Sequence, residues 1–222
     1  MDARKLRRYE SIMTQASAVL AITASDAAHF QAIGCQRVLL VSASHPMDEV
    51  VSQVGQGRYA LFHGDLSVAE NIDAVRFLAD KVFKESPYRL IVAGRNPSHL
   101  LSRCKEIDIE PNPSEERMEQ LIREAQVNIL FTQQATGLKL KLLHSLYSGR
   151  HCLVNGLMVA GTSLAPACHV ADDAQSMRET LDALMTTPFT ESDIQTRKSL
   201  LISLYGNAVN AEVIVNLISS NI

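Results

Sequence analysis

The fold is decided by the stretch Thr136-Gly137-Leu138-Lys139-Leu140-Lys141-Leu142-Leu143-His144-Ser145-Leu146-Tyr147-Ser148-Gly149-Arg150. Its leucines recur at helical spacing, which predicts a helix with one apolar face, opened by Gly137 and closed by Gly149. A short apolar run at 127–132 precedes it and another at 151–155 follows it. The sequence therefore predicts a buried strand, a helix and a second buried strand.

The amino end of this helix is the one plausible chemical site in the sequence. Thr136 and Gly137 form the turn after the first strand, and Lys139 and Lys141 lie in the first helical turns. Free backbone N–H groups and the positive end of the helix dipole point at such a turn, so an anion can bind there. Two alternatives stay open: Lys139 is a solvated charge, and Lys141 snorkels along the helix surface.

The composition indicates a globular protein that does not bind nucleic acid. The chain has 222 residues, 46% of them hydrophobic, and its formal net charge of −3 provides no broad basic field. We find no apolar run of about 20 residues, and no apolar segment follows the basic cluster at 2–8. We therefore expect no transmembrane segment, no signal peptide and a cytoplasmic location. Four scattered cysteines, without a CxxC pair, predict reduced core thiols: Cys35, Cys104, Cys152 and Cys168.

Residues 1–57 predict the remnant of an N-terminal α/β domain and a linker. Apolar runs at 18–22 and 37–41 flank a helical pattern, which predicts a parallel β-α-β unit. Two strands cannot bury both faces of a parallel sheet, so we expect self-association or a missing N-terminal domain at this unit. In the linker, Gly55-x-Gly57-x-x-Ala60 matches the dinucleotide fingerprint only formally, because a strand follows it where a helix is required.

From residue 58 to about 187 predicted strands alternate with helices. This alternation predicts a doubly wound, Rossmann-like parallel sheet with helices on both faces, followed by a helical tail over 188–222. The predicted strands cover 59–63, 88–93, 107–109, 127–132, 151–155 and 168–170. Predicted helix N-caps are Ser67 (in a capping box with Glu70), Asn96, Ser114 and Asp172.

Loops after the predicted strands are chemically suggestive because ligands of such sheets bind beyond the carboxyl ends of the strands. Small residues let a ligand approach the backbone, and basic side chains beside them suit a diphosphate. Glycines after strands also occur for turn geometry alone. Three side chains near these loops also have structural interpretations. Asp65 could cap a turn, Arg95 could be a surface charge, and His63 could be a core histidine whose hydrogen bonds are satisfied. The four loops are Gly64-Asp65, Gly94-Arg95-Asn96, Glu110-Pro111-Asn112-Pro113 and Thr136-Gly137.

Three stretches resemble the C-terminal half of two-domain, GT-B-type glycosyltransferases of the family 4 and family 1 kind. Residues 59–71 resemble the opening strand and glycine loop, and residues 90–97 resemble the second strand with its glycine. Residues 137–154 are similar to the segment that these enzymes write as G-x-[KR]-x-K-x-L-E-A-x-A-x-G-x-P-V-V. The resemblance covers about 58–187, and residues 1–57 look like the end of the N-terminal, acceptor-binding domain.

The resemblance implies a hexosyltransferase of polysaccharide biosynthesis. Such an enzyme transfers a sugar, with retention, from a nucleoside-diphosphate sugar to a glycan or a lipid-linked acceptor. It needs no metal and no cofactor besides this substrate. The catalytic residues stay unknown, because the other domain usually holds the catalytic base. The implied nucleotide-sugar-binding residues are Gly64, Asp65, Gly94, Arg95, Asn96, Thr136, Gly137, Lys139, Lys141 and His144.

The sequence departs from the family pattern at three positions. His144 replaces the glutamate that accepts from the ribose hydroxyls, and one neutral imidazole offers a single acceptor nitrogen. His151 replaces a proline, and Asn71 or a residue near it replaces a basic residue. His144 is therefore either a ribose contact or an exposed or packed helix residue. A second hypothesis is a non-catalytic, degenerate GT-B module that acts as a partner subunit, and a third is a sugar-nucleotide epimerase.

Overall fold

The computed structural model describes residues 9–95, 107–134 and 139–220, and the statements below concern those residues. The chain clusters into two compact units, Met1–Pro46 with Ile202–Ile222 and Met47–Leu201. The domain limits at 57 and 187 stay a prediction. The helix expected over 97–103 lies outside the described residues.

The first unit contains a two-stranded parallel sheet of β1 (Val19–Ala21) and β2 (Val38–Leu40). Helix α1 (Ala24–Ala32) connects the strands, and its N-cap Thr23 accepts a hydrogen bond from the backbone N–H of Asp26. The predicted β-α-β unit is therefore confirmed. Leu40 is 54% exposed, so part of the apolar surface of this small sheet faces solvent.

The second unit is built on a six-stranded parallel sheet in which the strand order is β5-β4-β3-β6-β7-β8. The chain starts at β3, moves outward through β4 and β5, and returns to the other side of β3 at β6. This reversal is typical of a doubly wound sheet, as the sequence predicts. The strands are β3 (Ala60–His63), β4 (Leu90–Gly94), β5 (Ile107–Pro111), β6 (Val127–Leu130), β7 (His151–Val154) and β8 (His169–Val170).

Helices cover both faces of this sheet, because successive strand side chains point to opposite faces. The helices after α1 are α2 (Ala69–Phe77, continued by a π-helical turn at Leu78–Val82), α3 (Glu115–Glu124), α4 (Leu140–Ser148), α5 (Gly156–Val159), α6 (Ala174–Thr186), α7 (Glu191–Tyr205) and α8 (Asn207–Ser219). On one face of the sheet Phe62 and Val92 belong to an apolar cluster with α2 and α6, and on the other Leu61 packs with Leu121 and Ile122 of α3.

Two of the predicted N-caps are wrong. Helix α2 begins at Ala69 without a side-chain cap, because Ser67 donates to Asp65 and Glu70 accepts from Thr132. Asp173, not Asp172, caps α6, while Asp172 accepts from the backbone N–H of Gly156 at 2.7 Å. In each case another partner competes for the predicted capping side chain.

The N-cap predicted at Ser114 is confirmed, since its hydroxyl accepts from the backbone N–H of Arg117. The predicted helix end at Gly149 is confirmed as the C-cap of α4. The predicted helix start at Gly137 lies outside the described residues. Of the cysteines, Cys35 and Cys152 are buried free thiols, Cys168 is half-buried, and Cys104 is not among the described residues.

Arg197 of α7 stabilises the turn between α4 and β7 by hydrogen bonds. Its guanidinium is buried and donates to the carbonyl oxygens of Leu146 at 3.2 Å and Gly149 at 2.5 Å. It also lies 4.5 Å from the ring centroid of Phe189, close enough for a cation–π interaction. The carbonyl groups at the end of α4 are thus hydrogen-bonded, and the backbone turns directly into β7.

The helical segment Glu191–Ser219 is long and apolar enough to cross a membrane, by length and composition only. Its most apolar window has a mean hydropathy of 1.4, and 17% of that window is buried. The expectation that the chain has no transmembrane segment stays a prediction. Gly206 divides the segment into α7 and α8, and a single segment of this kind is weak evidence for a membrane span.

Gly94 brings the loops after β3 and β4 into contact. A Cβ at Gly94 would lie 1.7 Å from the carbonyl oxygen of Gly64, whereas the atoms nearest to a Cβ at Gly64 belong to the Asn71 side chain, at 3.1 Å. The first contact is with backbone and the second with a side chain that can move. Gly94 is therefore required for close backbone approach.

We expect Gly94→Ala to lower the free energy of unfolding by about 1–3 kcal/mol or more, because the loops must move apart. Gly64→Ala is the matched control and should cost clearly less. Urea unfolding followed by circular dichroism measures both. Equal losses in the two variants would contradict this account of the contact.

Candidate functional site

A crevice opens where the strand order reverses. Strands β3 and β6 are paired only at Ala60↔Val127 and Leu61↔Asn128, whereas β3 pairs with β4 as far as His63↔Ala93. The carboxyl ends of β3 and β6 therefore diverge while those of β3 and β4 stay together. Ligands of doubly wound sheets bind at such a switch point.

Beside this crevice lies a cleft of about 380 Å³. One wall is formed by the glycine loops after β3 and β4, and the other by the first turns of α3. The sequence predicts the first wall, and the structure brings Gly64, Asp65, Gly94 and Arg95 together there. Sequence reasoning missed the second wall, although the N-cap pattern at Ser114 marks the start of its helix. That wall comprises Pro113, Ser114, Glu115 and Met118.

Lys141 points from α4 toward the loop after β3. Its Nζ donates to Oδ1 of Asn71 at 3.1 Å and lies 5.3 Å from the ring centroid of Phe62. Burial lowers the pKa of Lys141, while the nearby Glu70 carboxylate opposes that effect. The ammonium group therefore lies at the crevice and does not extend along the helix into solvent.

Glu70 and Asn71, at the start of α2, tie the loops of the crevice together. The Glu70 carboxylate accepts from the hydroxyl of Thr132 and from the backbone N–H of Gln133, which follow β6. The hydrogen bond from Thr132 lowers the pKa of Glu70. The Asn71 amide donates to the carbonyl oxygen of Asp65 at 2.8 Å. Sequence reasoning placed Glu70 in a helix cap, whereas it spans the switch point.

His63, the last residue of β3, is buried and has a hydrogen-bond partner. Its Nε2 lies 3.1 Å from Oγ of Ser145, and its ring centroid lies 6.2 Å from that of His144. Burial, with smaller effects from His144 and Lys141, lowers the pKa of His63 to about 3. The imidazole is therefore neutral near pH 7. It is a core histidine that also borders the cleft.

His144 is paired with a carboxylate that sequence reasoning missed. Its Nε2 lies 2.5 Å from Oε2 of Glu119 on α3, and Arg123 donates to the other oxygen at 3.1 Å. Burial tends to raise the pKa of Glu119, but hydrogen bonds from His144 and Ser148 outweigh it and lower the pKa. The carboxylate stays ionised beside the position where the resemblance implies a glutamate.

Of the other predicted site residues, the structure describes Asp65 and Lys139 but not the remaining three. Asp65 accepts from the backbone N–H of Ser67 at 2.8 Å and from its hydroxyl at 2.6 Å, as a turn cap does. Lys139 is the N-cap residue of α4 and makes no side-chain cap bond. The remaining three lie outside the described residues: Asn96, Thr136 and Gly137. Within the described part of the chain, no three histidine, cysteine or acidic side chains converge to hold a metal ion.

Several solved structures share this architecture. TarM matches with a TM-score of 0.71 at 11% identity, over 98% of this chain and 47% of that chain. Sucrose-phosphate synthase from Thermosynechococcus elongatus matches with a TM-score of 0.74 at 11% identity, over 99% of this chain and 62% of that chain. AviGT4, a glycosyltransferase involved in avilamycin A biosynthesis, matches with a TM-score of 0.61 at 17% identity, over 89% of this chain and 62% of that chain.

The chain has the α/β fold of part of a GT-B glycosyltransferase. The likeness to GT-B glycosyltransferases that the three sequence stretches indicate is thus confirmed at the level of the fold. This chain spans about half the length of TarM and less than two thirds of the other two proteins. No family model matches the sequence, and no curated protein is significantly similar to it.

The buried His63 of this fold makes stability depend on pH. An unfolded histidine binds a proton below about pH 6.5, whereas folded His63 does so only near pH 3. Between these values the unfolded state binds more protons, so the free energy of unfolding falls as the pH falls. His63 should contribute up to about 1.4 kcal/mol per pH unit to that slope.

We expect His63→Gln, which can keep a hydrogen bond to Ser145, to have a shallower slope than the wild type between pH 7 and pH 4. The free energy of unfolding from urea titrations at each pH measures the slopes. His29→Gln, at an exposed position, serves as the control. Identical slopes for the wild type and His63→Gln would contradict the neutral, buried state of His63.

Proposed function

We propose that this chain is the donor-binding half of a glycosyltransferase that uses a nucleoside-diphosphate sugar. The observation that carries the proposal is the open switch point with Lys141 beside it. A cation at the carboxyl ends of the strands suits a diphosphate, and the matched structures include glycosyltransferases. The acceptor would be a glycan or a lipid-linked sugar.

The proposed chemistry is electrostatic. In the transfer, the bond between the anomeric carbon and a diphosphate oxygen breaks, and an acceptor oxygen bonds to that carbon. Negative charge grows on the leaving nucleoside diphosphate, and Lys141 with the amino end of α4 would stabilise it. This step uses no metal and no cofactor. Retention of configuration, a role in polysaccharide biosynthesis and a cytoplasmic location belong to the same proposal and rest on the family resemblance.

The cleft between the glycine loops and α3 would hold the nucleoside. Its volume of about 380 Å³ lies at the lower end of ordinary ligand sites. Arg95 borders it on one side and Met118 on the other. In this arrangement the diphosphate extends from Gly64 toward Lys141, and the ribose lies near His144.

A second candidate function is a non-catalytic partner module, and Glu70 favours it. Its carboxylate spans the switch point through Thr132 and Gln133. A carboxylate there would repel a diphosphate, since like charges at short distance disfavour each other. In this alternative the crevice is closed by protein contacts and binds no donor.

Lys141 provides the direct test. We expect one of UDP, GDP, ADP and CDP to raise the unfolding temperature by a few degrees, because ligand at ~100 times its Kd stabilises a fold by about 2.7 kcal/mol. Lys141→Ala should lose this shift, and Lys81→Ala, at an exposed lysine, should keep it. No shift with any of the four diphosphates would support the partner-module alternative.

His144 tests the position of the ribose. We expect the nucleotide that binds to do so about tenfold more tightly than its 2′-deoxy analogue, which lacks one hydrogen-bonding hydroxyl. His144→Ala should reduce this preference to about one while the diphosphate still binds through Lys141. Isothermal titration calorimetry measures the four affinities. A preference that survives in His144→Ala would place the ribose elsewhere.

A further inference from the structure

A second open cavity lies at the opposite, amino ends of the strands. Its volume is about 810 Å³, roughly twice that of the cleft described above. Its wall is formed by residues that precede β3, β4 and β7, by residues of β4 and β5, and by Arg117 and Glu124 of α3. Four of these side chains are arginines: Arg58, Arg89, Arg117 and Arg150.

Arg58 follows a residue whose backbone is fixed by close contacts. The N–H of the preceding Gly57 donates to Oε1 of Gln126 at 2.6 Å, and a Cβ at Gly57 would lie 2.4 Å from the carbonyl oxygen of Glu124. The following residue, Tyr59, leads into the buried strand β3. The Arg58 side chain is exposed and borders the cavity, and no ion pair involves it within the described part of the chain.

Arg150 contributes a second cation, which is 8% exposed. Its Nη1 donates to the carbonyl oxygens of Arg123 at 2.7 Å and Ala125 at 3.3 Å, so it caps the end of α3. Its Nε has no hydrogen-bond partner. Over the residues that the structure describes, no carboxylate forms an ion pair with Arg150. A buried charge of this kind favours an anion in the space beside it.

The other two arginines are already neutralised. Arg89 pairs with Asp108, and Arg117 donates to Glu110 at 3.2 Å. Glu124 also lines the cavity, and its Oε1 accepts from the amide of Gln120 at 2.8 Å. Two arginines therefore face one carboxylate, and the wall has a net positive charge.

The cavity also has an apolar surface. The half-buried Tyr59 and Ile91 lie in its wall. The Tyr59 hydroxyl donates to the carbonyl oxygen of Leu121 at 3.0 Å, and burial raises the pKa of Tyr59 to about 12. The ring is therefore neutral at pH 7 and does not repel an anion.

We propose that this cavity binds a small phosphomonoester with an aromatic or aliphatic substituent, at a site separate from the nucleotide site. The phosphate would lie between Arg58, whose exposed guanidinium can bind two phosphate oxygens, and Arg150, whose charge attracts the phosphate although its Nη1 donates to two carbonyl oxygens. The substituent would lie against Tyr59 and Ile91. The proposal does not depend on glycosyl transfer, since it uses the other edge of the sheet.

The experiment is isothermal titration calorimetry of the whole chain with phenyl phosphate, inorganic phosphate and phenol as probes. We expect phenyl phosphate to bind more tightly than either fragment. Arg58→Gln should weaken it about tenfold, the loss of one charge-assisted contact, and Arg58→Lys should recover part of the affinity. Arg76→Gln, which removes an exposed arginine of α2, is the matched control and should bind as the wild type does.

Lys141→Ala separates the two sites. Because Lys141 lies at the other edge of the sheet, this variant should keep its affinity for phenyl phosphate. The proposal is overturned if phenyl phosphate does not bind the wild type, if Arg58→Gln binds it as well as Arg76→Gln does, or if Lys141→Ala abolishes binding. Since Arg58 is exposed, its substitution should leave the fold intact, which circular dichroism verifies.

Discussion

The candidate site depends on one difference between the neighbours of β3. Toward β4 the strands stay paired to their carboxyl ends, and Gly94 lets the following loop touch the backbone of Gly64. Toward β6 the pairing stops at Leu61↔Asn128, so the carboxyl ends of β3 and β6 separate. The carboxyl end of β3 is thus paired with β4 on one side and separated from β6 on the other. Lys141 and Glu70 both lie where the open side leaves room for them.

The sheet was predictable because its four inner strands, β4, β3, β6 and β7, are largely apolar and almost wholly buried. Such runs cannot lie at a solvent-facing surface, and their alternation with amphipathic helices leaves few topologies. The parallel order and both core clusters follow from that pattern. The N-caps at Ser67 and Asp172 were not predictable to the same degree. A capping side chain is chosen by competition among all nearby donors, and the partner of Asp172 is Gly156, 16 positions away.

The sequence predicted only those site residues that lie in the loops directly after the strands. Gly64 and Arg95 directly follow strands and Gly94 is the last residue of one, so the order of the strands brings them together. The contacts that define the chemistry join distant segments: Glu70 with Thr132 across 62 positions, and Glu119 with His144 across 25. No local pattern marks Glu119, which lies among other charged residues of α3. Sequence reasoning therefore located the loops but not the carboxylates that face them.

Helix α3 links the two edges of the sheet. Its 10 residues span about 15 Å. Its amino end, at Ser114, borders the cleft beside the switch point, and its carboxyl end, at Glu124, borders the arginine-lined cavity. The amino end presents backbone N–H groups, one of which Ser114 caps, and the carboxyl end presents carbonyl groups, two of which accept from Arg150. Both walls belong to one rigid helix, so a shift of α3 along its axis would alter both sites at once.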